Sequence, residues 1–149
     1  MGPSERKLDG YKVHEVACLL KLWLRELPEP LLTFKLYEKL LALEKTVPNS
    51  DHKRLEVKKL IDTIGVNLPT FKYLIGFLGR VIKNSAINKM TASNVAIVFG
   101  PSMLRPQVDT MNTALNSPFV NQALLYILEV FCFFIYIFLV NFLTFLFRI

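Results

Sequence analysis

An all-α domain is what this sequence predicts. Apolar residues recur in steps of three and four. Several such stretches end at or near proline or glycine, and strand-like alternation is absent throughout. The 149 residues make one domain, long enough to bury a hydrophobic core. The expected architecture is a helical bundle of amphipathic helices, followed by an apolar C-terminal helix.

Residues 1–12 are polar and read as a flexible lead-in with no signal peptide. The spacing of Val13, Val16, Ala17, Leu20, Leu24 and Leu27 predicts a first helix over 13–26, stopped by Pro28 and Pro30. Its other face carries His14, Cys18, Lys21 and Arg25. Lys21 and Arg25 stand one turn apart, a pattern that fits either a wet surface or a docking site for a negative partner. Thr33 is a candidate N-cap for a second helix over 34–44, and Ser50 for a third through Ile64. Val57, Leu60, Ile61 and Ile64 are the inward set of that third helix. Thr70 would cap a fourth helix with Phe71, Leu74, Ile75, Leu78 and Ile82 inward. Gly76 and Gly79 inside it imply close helix contacts or an irregular helix. Residues 84–90 read as a loop. Thr91 caps a fifth helix over 92–99, ended by Gly100 and Pro101. Residues 102–118 read as loop, and the last helix begins near Phe119.

The net charge of +6 favours an acidic partner surface. The densest basic cluster, Lys53, Arg54, Lys58 and Lys59, has Glu56 inside it and reads as a solvated helix face. Nucleic acid is therefore not an expected partner. Cys18 and Cys132 lie far apart and fit a reducing compartment better than a disulfide scaffold. His14 and His52 have no ligating neighbours in sequence. No nucleophile–base pair or phosphate-cradling glycine loop is present. Hence no metal, no cofactor and no active site of the chain's own are expected.

Two segments are far more specific than periodicity. Residues 16–32, Val-Ala-Cys-Leu-Leu-Lys-Leu-Trp-Leu-Arg-Glu-Leu-Pro-Glu-Pro-Leu-Leu, resemble the signature helix of Rho GTPase-activating (RhoGAP) domains. There a lysine and an arginine precede a Glu-Leu-Pro-Glu-Pro-Leu stop. Residues 88–106, from Asn-Lys-Met-Thr through Phe-Gly-Pro, resemble the family's second signature. The resemblance covers residues 13–106 and continues more weakly to 129. It implies a helical module that binds Rho, Rac or Cdc42 in the GTP-bound form. It places Lys21 and Arg25 on the GTPase-facing surface, and Asn94 near the partner's switch regions. Without the resemblance, Lys21 and Arg25 read as solvated charges and Asn94 as a buried asparagine satisfied by local backbone. Trp23 reads as packing. Ile64-Gly65 stands where the family has Leu-Pro, which implies a changed end to the third helix.

The resemblance also implies a missing part. In the family, the catalytic arginine lies upstream of the first signature, in a Gly-hydrophobic-aromatic-Arg-x-Ser-Gly loop. The only arginine before Val13 is Arg6, in Ser-Glu-Arg-Lys, which lacks that setting. An arginine finger supplies roughly 10³–10⁵ in rate, so weak or no acceleration is expected from this chain. The reading is a partial RhoGAP domain over 13–129, in the cytoplasm, with a non-catalytic GTPase- or protein-binding module as the alternative.

Residues 130–147 carry no charge and do not resemble the family's amphipathic last helix. Three readings stand side by side: a membrane anchor, a buried helix filling space, or non-native sequence read past a splice site. The 18 residues are at the lower edge of a bilayer span.

Overall fold

A computed structural model describes residues 10–48 and 51–146, with side chains described as far as Phe131. Among the described residues the α-helices are, in order, α1 (Val13–Glu26), α2 (Phe34–Thr46), α3 (Asp51–Ile61), α4 (Leu68–Lys83), the single-turn α5 (Ser85–Asn88), α6 (Ala92–Met103) and α7 (Met111–Leu146). A 3-10 turn, Asp62–Asn67, joins α3 to α4. No strand occurs among the described residues, so the all-α expectation holds.

The long α7 is the axis of the bundle. It packs against α2, α3, α4 and α6, with α6 its principal neighbour. Val120, Ala123, Leu124, Ile127 and Leu128 form its buried stripe at helical spacing. On α4, Phe71, Leu74, Ile75 and Leu78 are buried as their spacing predicts. Phe71 meets Phe131 of α7 edge to face, with ring centroids 5.5 Å apart.

Caps and breakers explain most of the boundaries. The Thr33 hydroxyl accepts from the Leu36 N–H at 3.3 Å, although Thr33 takes φ 45°, a backbone region that costs a β-branched residue strain. The Thr91 hydroxyl accepts from the Asn94 N–H at 3.2 Å. Gly65, at φ 60° and ψ −122°, breaks the chain between α3 and α4. The Asn67 amide then donates to the Leu31 carbonyl at 3.3 Å, tying this break to the Pro-rich stop after α1.

Several boundaries differ from the expectations of spacing. The fourth helix begins at Leu68, with Pro69 in its first turn, because proline's missing N–H would be unpaired there anyway. Thr70 is therefore inside the helix. Residues 85–88 close a turn of helix where a loop was expected. Helix α6 continues through Pro101 to Met103: only one intrahelical bond is lost near its end, and the Leu104 N–H closes on the Gly100 carbonyl at 2.9 Å. Helix α7 begins at Met111 and contains Pro118. Its first turns are anchored sideways. Lys45 Nζ donates to Asn116 Oδ1 at 3.1 Å, and the Asn116 amide donates to the Tyr37 hydroxyl at 3.4 Å.

Two packing expectations are corrected. Gly76 has open space where a Cβ would stand, so it marks no close helix approach; Gly100 does, facing Asn121. Lys53 is not part of a solvated face. It is buried and pairs with Glu44 of α2 at 2.7 Å.

Ser50, Arg6 and most of the lead-in lie outside the described residues. Of the apolar run 130–147, the side chains from Cys132 onward lie outside as well, and so does residue 147 altogether. Among the described residues, no helix is long and apolar enough to cross a membrane.

Candidate functional site

The candidate site is built on α1 and α6. Helix α1 rests mainly on α6, and Leu24 is its single fully buried residue. Leu20 and Leu27 are partly buried against the core. Val13, expected to face inward, is 86% exposed. Burying one leucine stabilises by roughly 1.5–3 kcal/mol. The helix is thus held by a narrow strip of packing and by polar links at its C-terminal end.

On the outer side, Arg25 is exposed and Lys21 half-buried. Neither forms an ion pair or a side-chain hydrogen bond among the described residues. The other exposed pairs of the chain, Arg54 with Asp51 and Lys59 with Glu56, are neutralised within their own helix. In the second of these, the hydrogen bond from Lys59 holds the Glu56 carboxyl below its usual range. Two unneutralised cations one turn apart present a local positive field to whatever approaches α1.

Asn94 lies in the first turn of α6, exposed and not buried. Its amide Nδ2 donates to the Lys89 carbonyl at 2.8 Å. Lys89 has φ 61° and ends α5 in the left-handed region. Met90 N–H is taken in turn by Asn88 Oδ1 at 2.8 Å. The side chain of Asn94 is therefore held by local backbone while remaining open to solvent on its outer side. Such a group is preorganised to meet a partner without a large ordering cost.

Trp23, read as packing, is 50% exposed. It shares the outer surface of α1 with Leu19 and Leu22, and Cys18 is also exposed there.

One residue of the site is not singled out by any sequence pattern above. Arg105 follows the C-cap of α6, and its guanidinium Nη2 donates to the carbonyls of Leu27 at 2.6 Å and Arg25 at 3.3 Å. It also lies over the Phe34 ring, 5.3 Å from its centroid. The readable signal was local: an arginine four residues after Pro101 of the Phe-Gly-Pro segment, just past the end of α6. Main-chain contact completes the junction, with the Leu32 N–H donating to the Met103 carbonyl at 3.1 Å. The structure thus brings α1's basic pair and α6's asparagine onto adjoining helices of one rigid junction. It shows no direct contact among the three side chains. Among the described residues, no group of acidic, His and Cys side chains is placed to hold a metal ion.

Comparison with known proteins follows the same two helices. The RhoGAP domain family profile matches residues 2–108. The chain is 40% identical over 123 residues to Rho GTPase-activating protein gacY of Dictyostelium discoideum, covering 81% of this chain and 17% of that protein. It is 40% identical over 115 residues to human Rho GTPase-activating protein 24, covering 76% of this chain and 15% of that protein. The chain therefore spans less than a fifth of these relatives. Among solved structures, the BH domain from Graf, the GTPase regulator associated with focal adhesion kinase, superposes with a TM-score of 0.76. That match is 24% identical and covers 88% of this chain and 70% of that one, which shows the fold. Human Rho GTPase activating protein 15 gives a TM-score of 0.74 at 30% identity, covering 84% of this chain and 61% of that one.

Proposed function

The chain belongs to the RhoGAP domain family, and from that premise we propose that it docks GTP-bound Rho, Rac or Cdc42 through Lys21, Arg25 and Asn94 and regulates such a GTPase as an activator domain. The observation that carries this reading is the pair of unneutralised cations on α1, a helix that packs on α6, together with a backbone-tethered, solvent-open Asn94 on α6. A negatively charged switch surface would find charge on one helix and a fixed amide on the next. Steering by Lys21 and Arg25 raises the association rate and weakens with salt.

Chemistry is a separate matter. The attacking water and the nucleotide come with the GTPase, and the activator's contribution is a cation placed against charge developing on the transferring phosphoryl group. Lys21 and Arg25 project from a helix face, which does not reach as a loop does. The residues present hold no counterpart of the arginine-finger loop. We therefore expect this chain to bind while accelerating hydrolysis weakly or not at all, with no catalysis of its own.

The test is single-turnover GTP hydrolysis by Rho, Rac and Cdc42 with the chain in large excess, alongside direct binding to their GTP-bound forms. Binding without acceleration, weakened by Arg25→Ala and by Asn94→Ala, supports the proposal. Acceleration of about a hundredfold or more would overturn its catalytic half. A folded chain that binds none of the three would overturn the docking half.

A further inference from the structure

Resting on that docking reading, a second role can be assigned to a residue that would never touch the GTPase. The last carbonyls of a helix have no partner within it. After α1 the chain runs into Pro28 and Pro30, which carry no N–H to offer. The Arg25 and Leu27 carbonyls are taken instead by one side chain from α6's far end, Arg105, at 3.3 and 2.6 Å. The same guanidinium covers the Phe34 ring at the start of α2. Its Nε is buried and has no hydrogen-bond partner. The group is thus committed to this junction and not turned to solvent. The carbonyl it holds belongs to Arg25 itself, and the helix it extends from carries Asn94. Within α1 only Leu24 is fully buried, and the main-chain tie from Leu32 to Met103 lies beyond the helix end, so Arg105 is the side chain that holds the last turn itself to α6.

We infer that Arg105 is a positioning residue for GTPase docking. It clamps the end of α1 to the end of α6, and so sets the spacing between the Arg25 side chain and Asn94. One nitrogen, Nη2, serves both carbonyls while the planar cation behind it lies over the Phe34 ring; a lysine ammonium could reach the carbonyls but has no planar face to lay on that ring.

The experiment uses the full chain and Rho, Rac and Cdc42 loaded with a non-hydrolysable GTP analogue. Binding is read at a temperature where circular dichroism shows every variant folded. Arg105→Gln is expected to bind about tenfold more weakly, with Arg105→Lys recovering part of the loss. Amide hydrogen exchange over residues 22–27 should quicken in Arg105→Gln, since a freed helix end opens locally. The deciding readout is coupling. Arg25→Ala should weaken binding about tenfold in the native chain, but no more than about twofold when Arg105 is already Gln. Equal cost of Arg25→Ala in both backgrounds would overturn the inference, as would native affinity in a folded Arg105→Gln. Should Arg105→Gln not fold, Arg105→Lys carries the same cycle, with additivity again overturning it. A native chain that binds, is weakened by Arg25→Ala and ignores Arg105 removes this inference alone. A native chain that binds none of the three removes the docking reading and this inference with it.

Discussion

Lys53 Nζ lies 2.7 Å from Glu44 Oε2, with both side chains 2% exposed, so an ion pair joins α3 to α2 inside the bundle. The Tyr126 ring of α7 lies against the same ammonium, 4.8 Å from it to the ring centroid. Glu44 Oε1, the other carboxylate oxygen, is buried without a hydrogen-bond partner. Taking two charges out of water is expensive, and the pair repays this only while both members are present. Lys53→Ala should therefore cost about 3–5 kcal/mol, because it strands the Glu44 charge. The double change Lys53→Met with Glu44→Leu should return stability to within about 1 kcal/mol of native, or exceed it. Urea unfolding of the three proteins decides this. A loss of less than about 1 kcal/mol in Lys53→Ala would mean the pair is not closed in solution.

Gly100 of α6 faces Asn121 of α7 at close range. A Cβ added at Gly100 would stand 2.8 Å from Asn121 Oδ1 and 3.7 Å from the Asn121 Cα. That oxygen is itself buried and without a hydrogen-bond partner, so the helices meet at a tight and incompletely satisfied point. Gly100→Ala is expected to destabilise by about 1–3 kcal/mol through overpacking, despite alanine's better helix propensity. Asn121→Ala removes the obstructing oxygen. The double variant should recover much of the loss, giving a coupling beyond about 0.5 kcal/mol in a thermodynamic cycle. Simple additivity would show that the helices move apart instead.

Residues that face one neighbour in a regular helix were legible from spacing. The set Phe71, Leu74, Ile75 and Leu78, the caps Thr33 and Thr91, and the whole span of α1 were all readable this way. What spacing could not show is what another helix brings. Lys53 looks like one of four cations on a wet face until Glu44, nine residues earlier on another helix, is placed opposite it. Pro101 reads as a stop and Pro118 as the end of a loop because proline's local cost is known from sequence, while the packing of α6 on α7 that outweighs it is not. At the candidate site, Lys21, Arg25 and Asn94 were named from motif resemblance. Arg105 was missed because its partners are backbone carbonyls far upstream, which no side-chain pattern records.

Burial pushes the Tyr126 phenol above its ordinary value of 10.0. The Glu44 and, more weakly, Glu129 carboxylates add to the rise, while Arg54 opposes it. The sign of the stability effect follows from proton counting. In the unfolded chain Tyr126 loses its proton around pH 10, whereas the folded state retains it to higher pH. The unfolded state then binds fewer protons, so this stabilisation is fully present below pH 10 and is lost as the pH rises through the folded value. Native stability should fall more steeply than that of Tyr126→Phe as the pH rises above about 10. Parallel curves from denaturant melts at each pH would show that Tyr126 ionises freely in the fold.

Helix α1 buries only Leu24 fully, and its outer surface makes a prediction that a buried helix would not. Leu19 is 65% exposed, Leu22 49% and Trp23 50%. Trp23 is the only tryptophan in the chain, so its fluorescence reports on this surface alone. Folded protein should emit at a wavelength intermediate between buried and free indole and be readily quenched by acrylamide, with a modest further red shift on unfolding. Because most of its side chain is already wet, Leu19→Gln should change stability by no more than about 0.5 kcal/mol, in contrast to Leu24→Ala, which opens the core and should cost about 2–5 kcal/mol. Three exposed apolar side chains on one helix also favour association between molecules. The double change Leu19→Gln with Leu22→Gln should therefore lower light scattering at high protein concentration while leaving the melting midpoint nearly unmoved. A large loss of stability in Leu19→Gln, or a blue-shifted and quencher-resistant Trp23, would mean that α1 packs against more of the chain than its neighbour α6.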